Sequence, residues 1–285
     1  MSERIREFAP AKINLFLHVG DKRPDGYHAL QSLVAFADIG DELVFEASDK
    51  LTLSIEGPCA PSLLGNPPGD NLVLRAARAL ANEAATAAAA QISLTKNLPV
   101  ASGLGGGSAD AAATLRGLNQ LWGMNMGDDQ LRRIAESLGS DVPACVASST
   151  CWMEGRGEVL SLAPRLPKCF ILLVNPGVSV STAEVFAKLR DRTGVARQKP
   201  PSWSSIRDLV AYLETSANDL ETPAHALAPI DDVLAAIRAC DGALLARMAG
   251  SGATCFGLFE TRDAVQAAAA KLSSHANWWI AAGLV

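Results

Sequence analysis

The stretch Pro99-Val100-Ala101-Ser102-Gly103-Leu104-Gly105-Gly106-Gly107-Ser108-Ala109-Asp110 is where the chain's chemistry is easiest to name. Three consecutive glycines are costly in conformational entropy. What they provide is close approach: with no Cβ in the way, backbone N–H groups can crowd against a ligand, and a helix beginning near Ser108 adds the positive end of its dipole. Together these features describe an anion site suited to phosphate. A flexible linker or a plain strand-to-helix turn is the bland alternative, and a linker needs neither this position nor this density of glycine. Two familiar phosphate loops fail on residues. A Walker A loop requires Gly-Lys-Ser/Thr, and no lysine follows these glycines; a dinucleotide fingerprint requires glycine at 108, where serine stands.

A strand must deliver such a loop and a helix must leave it. Gln91 to Lys96 reads as a short strand before the loop, and Ser108 to Leu121, rich in Ala and Leu, as the helix after it, closed by Gly123. Upstream, Lys12 to Val19 alternates as a half-buried strand, and Glu42 to Ala47 and Leu51 to Glu56 repeat the pattern around the turn at Ser48-Asp49-Lys50. Asp70-Asn71 then offers an N-cap to a helix over Leu72 to Ala85. A further helix is predicted over Asp128 to Leu138, and a short one after Ser140-Asp141-Val142-Pro143. The second half mixes a hairpin (150–153 and 158–162), strands at 169–174, 255–259 and 278–281, and helices at 182–189, 206–214, 230–239 and 263–272. Residues 191–204 are polar, contain proline and read as a loose loop. The class is α+β, with one domain expected over 1–158 and a second over 159–285.

Composition bounds the partners. The chain has 285 residues, 49% of them hydrophobic and 19% charged, which is ample for a core and argues against disorder. A formal charge of -5 provides no global attraction for nucleic acid. No run of about 20 apolar residues could span a membrane, and the charged start, Met1 to Glu7, lacks the apolar stretch of an export signal, so a cytoplasmic protein is expected. The cysteines at 59, 145, 151, 169, 240 and 255 form no C-x-x-C pair and read as reduced, mostly buried thiols rather than a zinc site.

The glycine string, P-x-x-x-G-L-G-G-G-S, resembles the phosphate loop of the galactokinase, homoserine kinase, mevalonate kinase and phosphomevalonate kinase (GHMP) superfamily. Pro10-Ala11-Lys12-Ile13-Asn14-Leu15-Phe16-Leu17 resembles its first motif and Gly250-Ser251-Gly252-Ala253-Thr254-Cys255-Phe256-Gly257 its third, in the same order and spacing. Arg23-Pro24-Asp25-Gly26-Tyr27-His28 and Gly139-Ser140-Asp141-Val142-Pro143 narrow the resemblance to the superfamily's kinases of 4-diphosphocytidyl-2-C-methyl-D-erythritol. Ser102 departs from the alanine or glycine more usual there.

The resemblance implies a two-domain GHMP kinase fold, with an N-terminal half like the second domain of ribosomal protein S5 and a ferredoxin-like C-terminal half. It implies ATP as co-substrate, with Mg²⁺, and phosphorylation of a cytidine-diphosphate-linked methylerythritol on the route to isoprenoid precursors. Asp141 would be the base that takes the alcohol proton, and Lys12 the supporting charge. The loop from Pro99 to Ala109 would embrace ATP, with Asn71 and Lys96 near the nucleotide base. Asn14 would lie by the erythritol arm, Tyr27 and His28 against the cytosine with Phe186 opposing, and Gly252 in a second backbone turn near the substrate. Ser108 would bind Mg²⁺ or a phosphate oxygen, or simply cap its helix. A monomer or weak homodimer is expected. The rivals are another GHMP kinase, of homoserine or mevalonate type, and a catalytically silent binding module on the same fold.

Overall fold

The first strand extends well beyond its alternating segment, and it is buried on both faces from Ala9 to Gly20. Residues 4–63, 68–200 and 202–285 are described by the structure, a computed structural model. Along the chain run β1 (Arg4–Lys22), β2 (His28–Glu46), β3 (Leu51–Glu56), α1 (Leu72–Glu83), β4 (Ala90–Thr95), α2 (Gly106–Leu121), α3 (Asp128–Glu136), α4 (Val142–Ala147), β5 (Cys151–Gly155), β6 (Val159–Leu162), β7 (Phe170–Asn175), α5 (Thr182–Lys188), α6 (Ile206–Glu214), α7 (Glu221–Ala224), α8 (Ile230–Arg238), β8 (Ala243–Met248), β9 (Cys255–Phe259), α9 (Arg262–Leu272) and β10 (Trp279–Leu284). The α+β reading holds. The half-buried reading of Lys12 to Val19 does not: the polar residues Lys12, Asn14 and His18, which share one face of the strand by its period of two, are as buried as the apolar ones between them. The loop expected at 191–204 includes residue 201, which lies outside the described residues.

The chain divides into two compact units, and β1 and β2 each contribute to both. The first comprises the described residues of Met1–Ala11, Gly40–Val100 and Gly105–Ser149. In it the end of β2 pairs antiparallel with β4 (Glu42 opposite Thr95), and β3 pairs parallel with β4 (Leu51 opposite Ala90), so the order is β3-β4-β2. A parallel pair needs a crossover, which α1 supplies. Phe45, Leu80, Ile92, Leu94, Leu115 and Leu118 are fully or almost fully buried here. Gly117 of α2 lies against Phe45 so closely that a Cβ there would run into the ring. The alanines of α2 leave room for this close approach of helix and sheet.

The second unit comprises Lys12–Ile39, Ala101–Leu104 and Thr150–Val285. The start of β2 pairs antiparallel with β5 (Leu30 opposite Gly155), and β5 forms a hairpin with β6. A second sheet has the order β10-β7-β9-β8, all antiparallel. Its β7 is buried throughout, as a continuous apolar run predicts. Val174, Val185, Leu220, Ile230, Val233, Ile237 and Phe259 belong to one apolar cluster that packs the helices of this unit on that sheet. All six cysteines but Cys59 are buried. Among the described residues no helix is long and apolar enough to cross a membrane.

Candidate active site

In the first unit the glycine string leads into α2 two residues earlier than the sequence pattern places the helix. Gly105, at φ +62°, is the residue before it and has no side-chain oxygen to satisfy the first-turn N–H groups. Those amides have no side-chain cap, at the positive end of a 16-residue helix. Ser108 is the third residue of the helix and half-buried, so it is not the helix cap.

Beneath this start lies a buried cluster that the sequence reading did not identify. The Lys96 ammonium donates to Asp41 Oδ2 at 2.5 Å and to Asp110 Oδ2 at 2.7 Å. Asp41 Oδ1 accepts from the N–H groups of Asn97 and Leu98 at 2.6 and 2.8 Å. One aspartate therefore anchors both the lysine and the backbone entering the loop at Pro99 and Val100. A Cβ on Gly106 would come within 3.2 Å of the Lys96 nitrogen. Burial works against the lysine's charge, but the two carboxylates outweigh it and raise its pKa. For Asp110 burial wins: its pKa is pushed up to about 7 despite the adjacent lysine, and its Oδ1 has no hydrogen-bond partner among the described residues. Lys96, expected beside the nucleotide base, thus has its ammonium engaged under the loop. Asn71 caps α1, its Oδ1 accepting from the Val73 N–H at 2.9 Å. Asp141 stands at the position before α4 without capping it.

In the second unit the other half of the loop is braced by the third glycine motif. Ser102, buried, accepts on its carbonyl from the Thr254 N–H at 3.1 Å, Ala101 from Val180 at 3.3 Å, and Leu104 from Lys12 at 2.9 Å. Gly103 has φ +79°, and a Cβ on it would overlap the Ala249 carbonyl and stand 2.8 Å from the Gly252 nitrogen. Conversely, a Cβ on Gly250 would stand 2.6 Å from the Gly103 oxygen. Two glycine turns pack backbone on backbone, which no side chain permits. Asn218 fixes the far side of the motif, its amide donating to the Met248 and Gly250 carbonyls at 2.8 and 2.7 Å. Thr182 at the start of α5 joins Ser251 at 2.8 Å.

That same helix carries Phe186 to His28. Their rings are stacked, with centroids 5.7 Å apart and planes 20° from parallel. His28 is fixed further by Nδ1, 3.0 Å from the Gly20 carbonyl, which leaves Nε2 for other work. Tyr27 adjoins it and is largely exposed. Asn14, in β1, donates its amide to Ser32 Oγ at 2.8 Å, and Lys12 is buried two residues before it. Among the described residues no group of three His, Cys, Asp or Glu side chains could hold a metal ion.

The residues missed were Asp41 and Asp110. Asp110 had a signal: a lone carboxylate amid the alanines of α2 sits on the face that packs inward, at a position where an unpaired charge is untenable.

The family models for the GHMP kinases N terminal domain and the GHMP kinases C terminal domain match residues 71–149 and 213–277. The chain is 48% identical to the 4-diphosphocytidyl-2-C-methyl-D-erythritol kinase of Parvibaculum lavamentivorans, with 98% of each chain covered. It is 51% identical to the enzyme of that name from Ruegeria pomeroyi, with 99% of each covered. It is also similar to a crystal structure of 4-(cytidine 5'-diphospho)-2C-methyl-D-erythritol kinase, at TM-score 0.75 and 33% identity over 98% of each chain. Agreement over nearly the whole of each chain makes the chain a member of the GHMP kinases, in the family of the 4-diphosphocytidyl-2-C-methyl-D-erythritol kinases.

Proposed function

We propose that the protein transfers the γ-phosphoryl group of ATP to the 2-hydroxyl of 4-diphosphocytidyl-2-C-methyl-D-erythritol, a step toward isoprenoid precursors. The observation that carries phosphoryl transfer is the glycine-capped start of α2, whose first-turn amides have no side-chain cap and suit an anionic ligand. The near-full-length relatives support the choice of acceptor. Phosphoryl transfer asks a protein for alignment, charge neutralisation and an activated hydroxyl, with little covalent chemistry of its own.

In this reading the residues from Pro99 to Ala109 hold the triphosphate, with Asn71 and the Lys96 backbone at the nucleotide end. Asp141 takes the proton of the hydroxyl as its oxygen attacks the γ-phosphorus and ADP leaves, and Lys12 supports the developing negative charge. Tyr27, His28 and Phe186 receive the cytosine, while Asn14 and Gly252 border the rest of the acceptor. For an Mg²⁺ arriving with ATP, the Ser108 hydroxyl in the first turn of α2 would offer one oxygen ligand or would meet a phosphate oxygen, and phosphates and water would supply the other ligands. Such an ion would neutralise phosphate charge. The portion through residue 158 carries the ATP loop together with most of the acceptor residues, and the protein works in the cytoplasm as a monomer or weak homodimer.

The test is ADP release by the purified protein offered the cytidylyl substrate, homoserine and mevalonate in turn. Turnover with the first alone is expected, and turnover of either other alcohol in its place overturns the reading. Asp141→Asn should lower kcat by about 10²- to 10⁴-fold while ATP affinity stays within a small factor; unchanged kcat removes Asp141 from the chemistry.

A further inference from the structure

Tyr27 carries a cation on one face of its ring. The tyrosine closes the tight turn that begins at Arg23, whose N–H donates to the Tyr27 carbonyl at 2.6 Å, and it is 53% exposed. The register that sets Leu30 opposite Gly155 turns the chain after β5 back toward this point. Arg156 is the next residue, and its guanidinium carbon lies over the Tyr27 ring, 5.3 Å from the centroid.

The hairpin turn is built to hold it there. Gly155 and Gly157, on either side, have φ of +72° and +121°, a backbone that residues with side chains rarely adopt. Glu158 Oε2 accepts from the Arg156 N–H at 2.5 Å. Its Oε1 lies 3.6 Å from the Arg23 guanidinium, whose Nε donates to Asp25 Oδ2 at 3.1 Å. Asp25 Oδ1 in turn accepts from the Tyr27 N–H at 3.1 Å. The contacts therefore close a ring, from Arg156 through Glu158, Arg23 and Asp25 back to Tyr27. None of these four charged residues has a part in phosphoryl transfer as assigned above.

We propose that Arg156 is a positioning residue for pyrimidine recognition: its guanidinium covers one face of Tyr27, fixes the angle of the ring, and leaves the opposite face as the single stacking surface for the nucleobase. The proposal rests on the reading that the acceptor carries a cytidine diphosphate. Two physical effects favour it. An exposed tyrosine must lose rotamer freedom when a base stacks on it, and a ring already held loses less. A guanidinium on the face of an aromatic ring is attracted by the ring's quadrupole, and its flat shape sets the ring's orientation more closely than an ammonium would.

The experiment is steady-state kinetics of the full chain with Arg156→Ala, Arg156→Lys, Tyr27→Ala and the Arg156→Ala/Tyr27→Ala double variant. Arg156→Ala should raise KM for the cytidylyl substrate by about two- to fivefold, the range expected of one exposed cation–π contact. The value of kcat, KM for ATP and the unfolding midpoint should stay put. Arg156→Lys should recover part of the loss, and Arg156→Ala should add nothing once Tyr27 is gone. An equal effect of Arg156→Ala with and without Tyr27 would mean that the guanidinium touches the substrate itself, which overturns the positioning role. A fall in kcat together with a rise in both KM values would make Arg156 a structural residue and overturn that role as well. No change for Arg156→Ala while Tyr27→Ala raises KM defeats the inference and leaves the substrate reading standing. If Tyr27→Ala also changes nothing, or the cytidylyl compound is not turned over, the substrate reading fails with it.

Discussion

Lys96→Met removes the cation that sits between two buried carboxylates. In the native protein Lys96 lies 2.5 Å from Asp41 and 2.7 Å from Asp110, and all three side chains are buried. Taking one partner from a buried ion pair leaves an uncompensated charge and costs about 3–5 kcal/mol. Asp110 can relieve part of that loss by keeping a proton, and this makes the cost depend on pH. Its native pKa is already raised to about 7, because burial outweighs the pull of Lys96. Between the ordinary carboxylate value and 7 the folded protein therefore holds a proton that the unfolded chain has released, so stability from this group falls as pH rises through that window. Without Lys96 the pKa rises further and the window extends upward. Above pH 7 the variant goes on losing stability by up to about 1.4 kcal/mol per pH unit, where the parent has stopped.

Urea unfolding of parent and variant at pH 6 and pH 8 measures this directly. The deficit should be a few kcal/mol at pH 8 and smaller at pH 6. Adding Asp110→Asn to Lys96→Met should remove the pH-dependent part, because one carboxylate alone keeps the two backbone N–H groups of residues 97 and 98 as partners. A deficit below about 1 kcal/mol at both pH values would refute the argument that burial makes this ion cluster indispensable. So would a deficit that does not change with pH.

Gly103→Ala should weaken ATP binding and destabilise the protein together, since φ +79° and the Ala249 carbonyl both exclude a Cβ; a nucleotide titration and a thermal melt check it, and normal ATP affinity would separate the loop from the nucleotide. Gly117→Ala gains about 1 kcal/mol of helix propensity but pushes a methyl into the Phe45 ring, an overpacking that costs about 1–3 kcal/mol. A net loss on urea unfolding is expected, and a more stable variant would show that the sheet yields there. His18 is buried and neutral, accepting at Nε2 from the Ala217 N–H, and burial lowers its pKa. As pH falls below about 6.5 the unfolded chain takes up a proton that the folded one refuses, so stability should drop, and His18→Gln should flatten that slope in melts between pH 7 and 5.

How far the sequence could be read depended on what each residue reports to its neighbours in the chain. Helices with a capping residue and a 3.6-residue period were legible almost to their ends: α6 runs over the predicted residues, and Ser205 caps it as its type requires. The long strands were not. Alternation reports one buried face, whereas β1 is buried on both, so Lys12, Asn14 and His18 looked solvated when they lie inside. The strand β8 was missed because Arg247 interrupts it. That guanidinium is buried and satisfied by the carbonyls of Leu15, Leu213 and Ser216, residues far away in sequence, and burial pulls its pKa down to about 10. The cluster of Asp41, Lys96 and Asp110 failed to show for the same reason. Asp41 and Lys96 are ordinary charged residues in their own segments, and Asp110, though its place among alanines marks it as buried, does not name its partners; only the fold brings β2, the loop entrance and the start of α2 together. The glycines were the exception, because backbone packing on backbone leaves its mark in the residue type itself: Gly103 and Gly250 exclude each other's side chains across about 150 residues of sequence, and each stands inside a motif readable without the fold. A charge whose partners lie far along the chain is therefore the kind of functional residue that sequence inspection passes over, and a glycine with no room for a Cβ is the kind it finds.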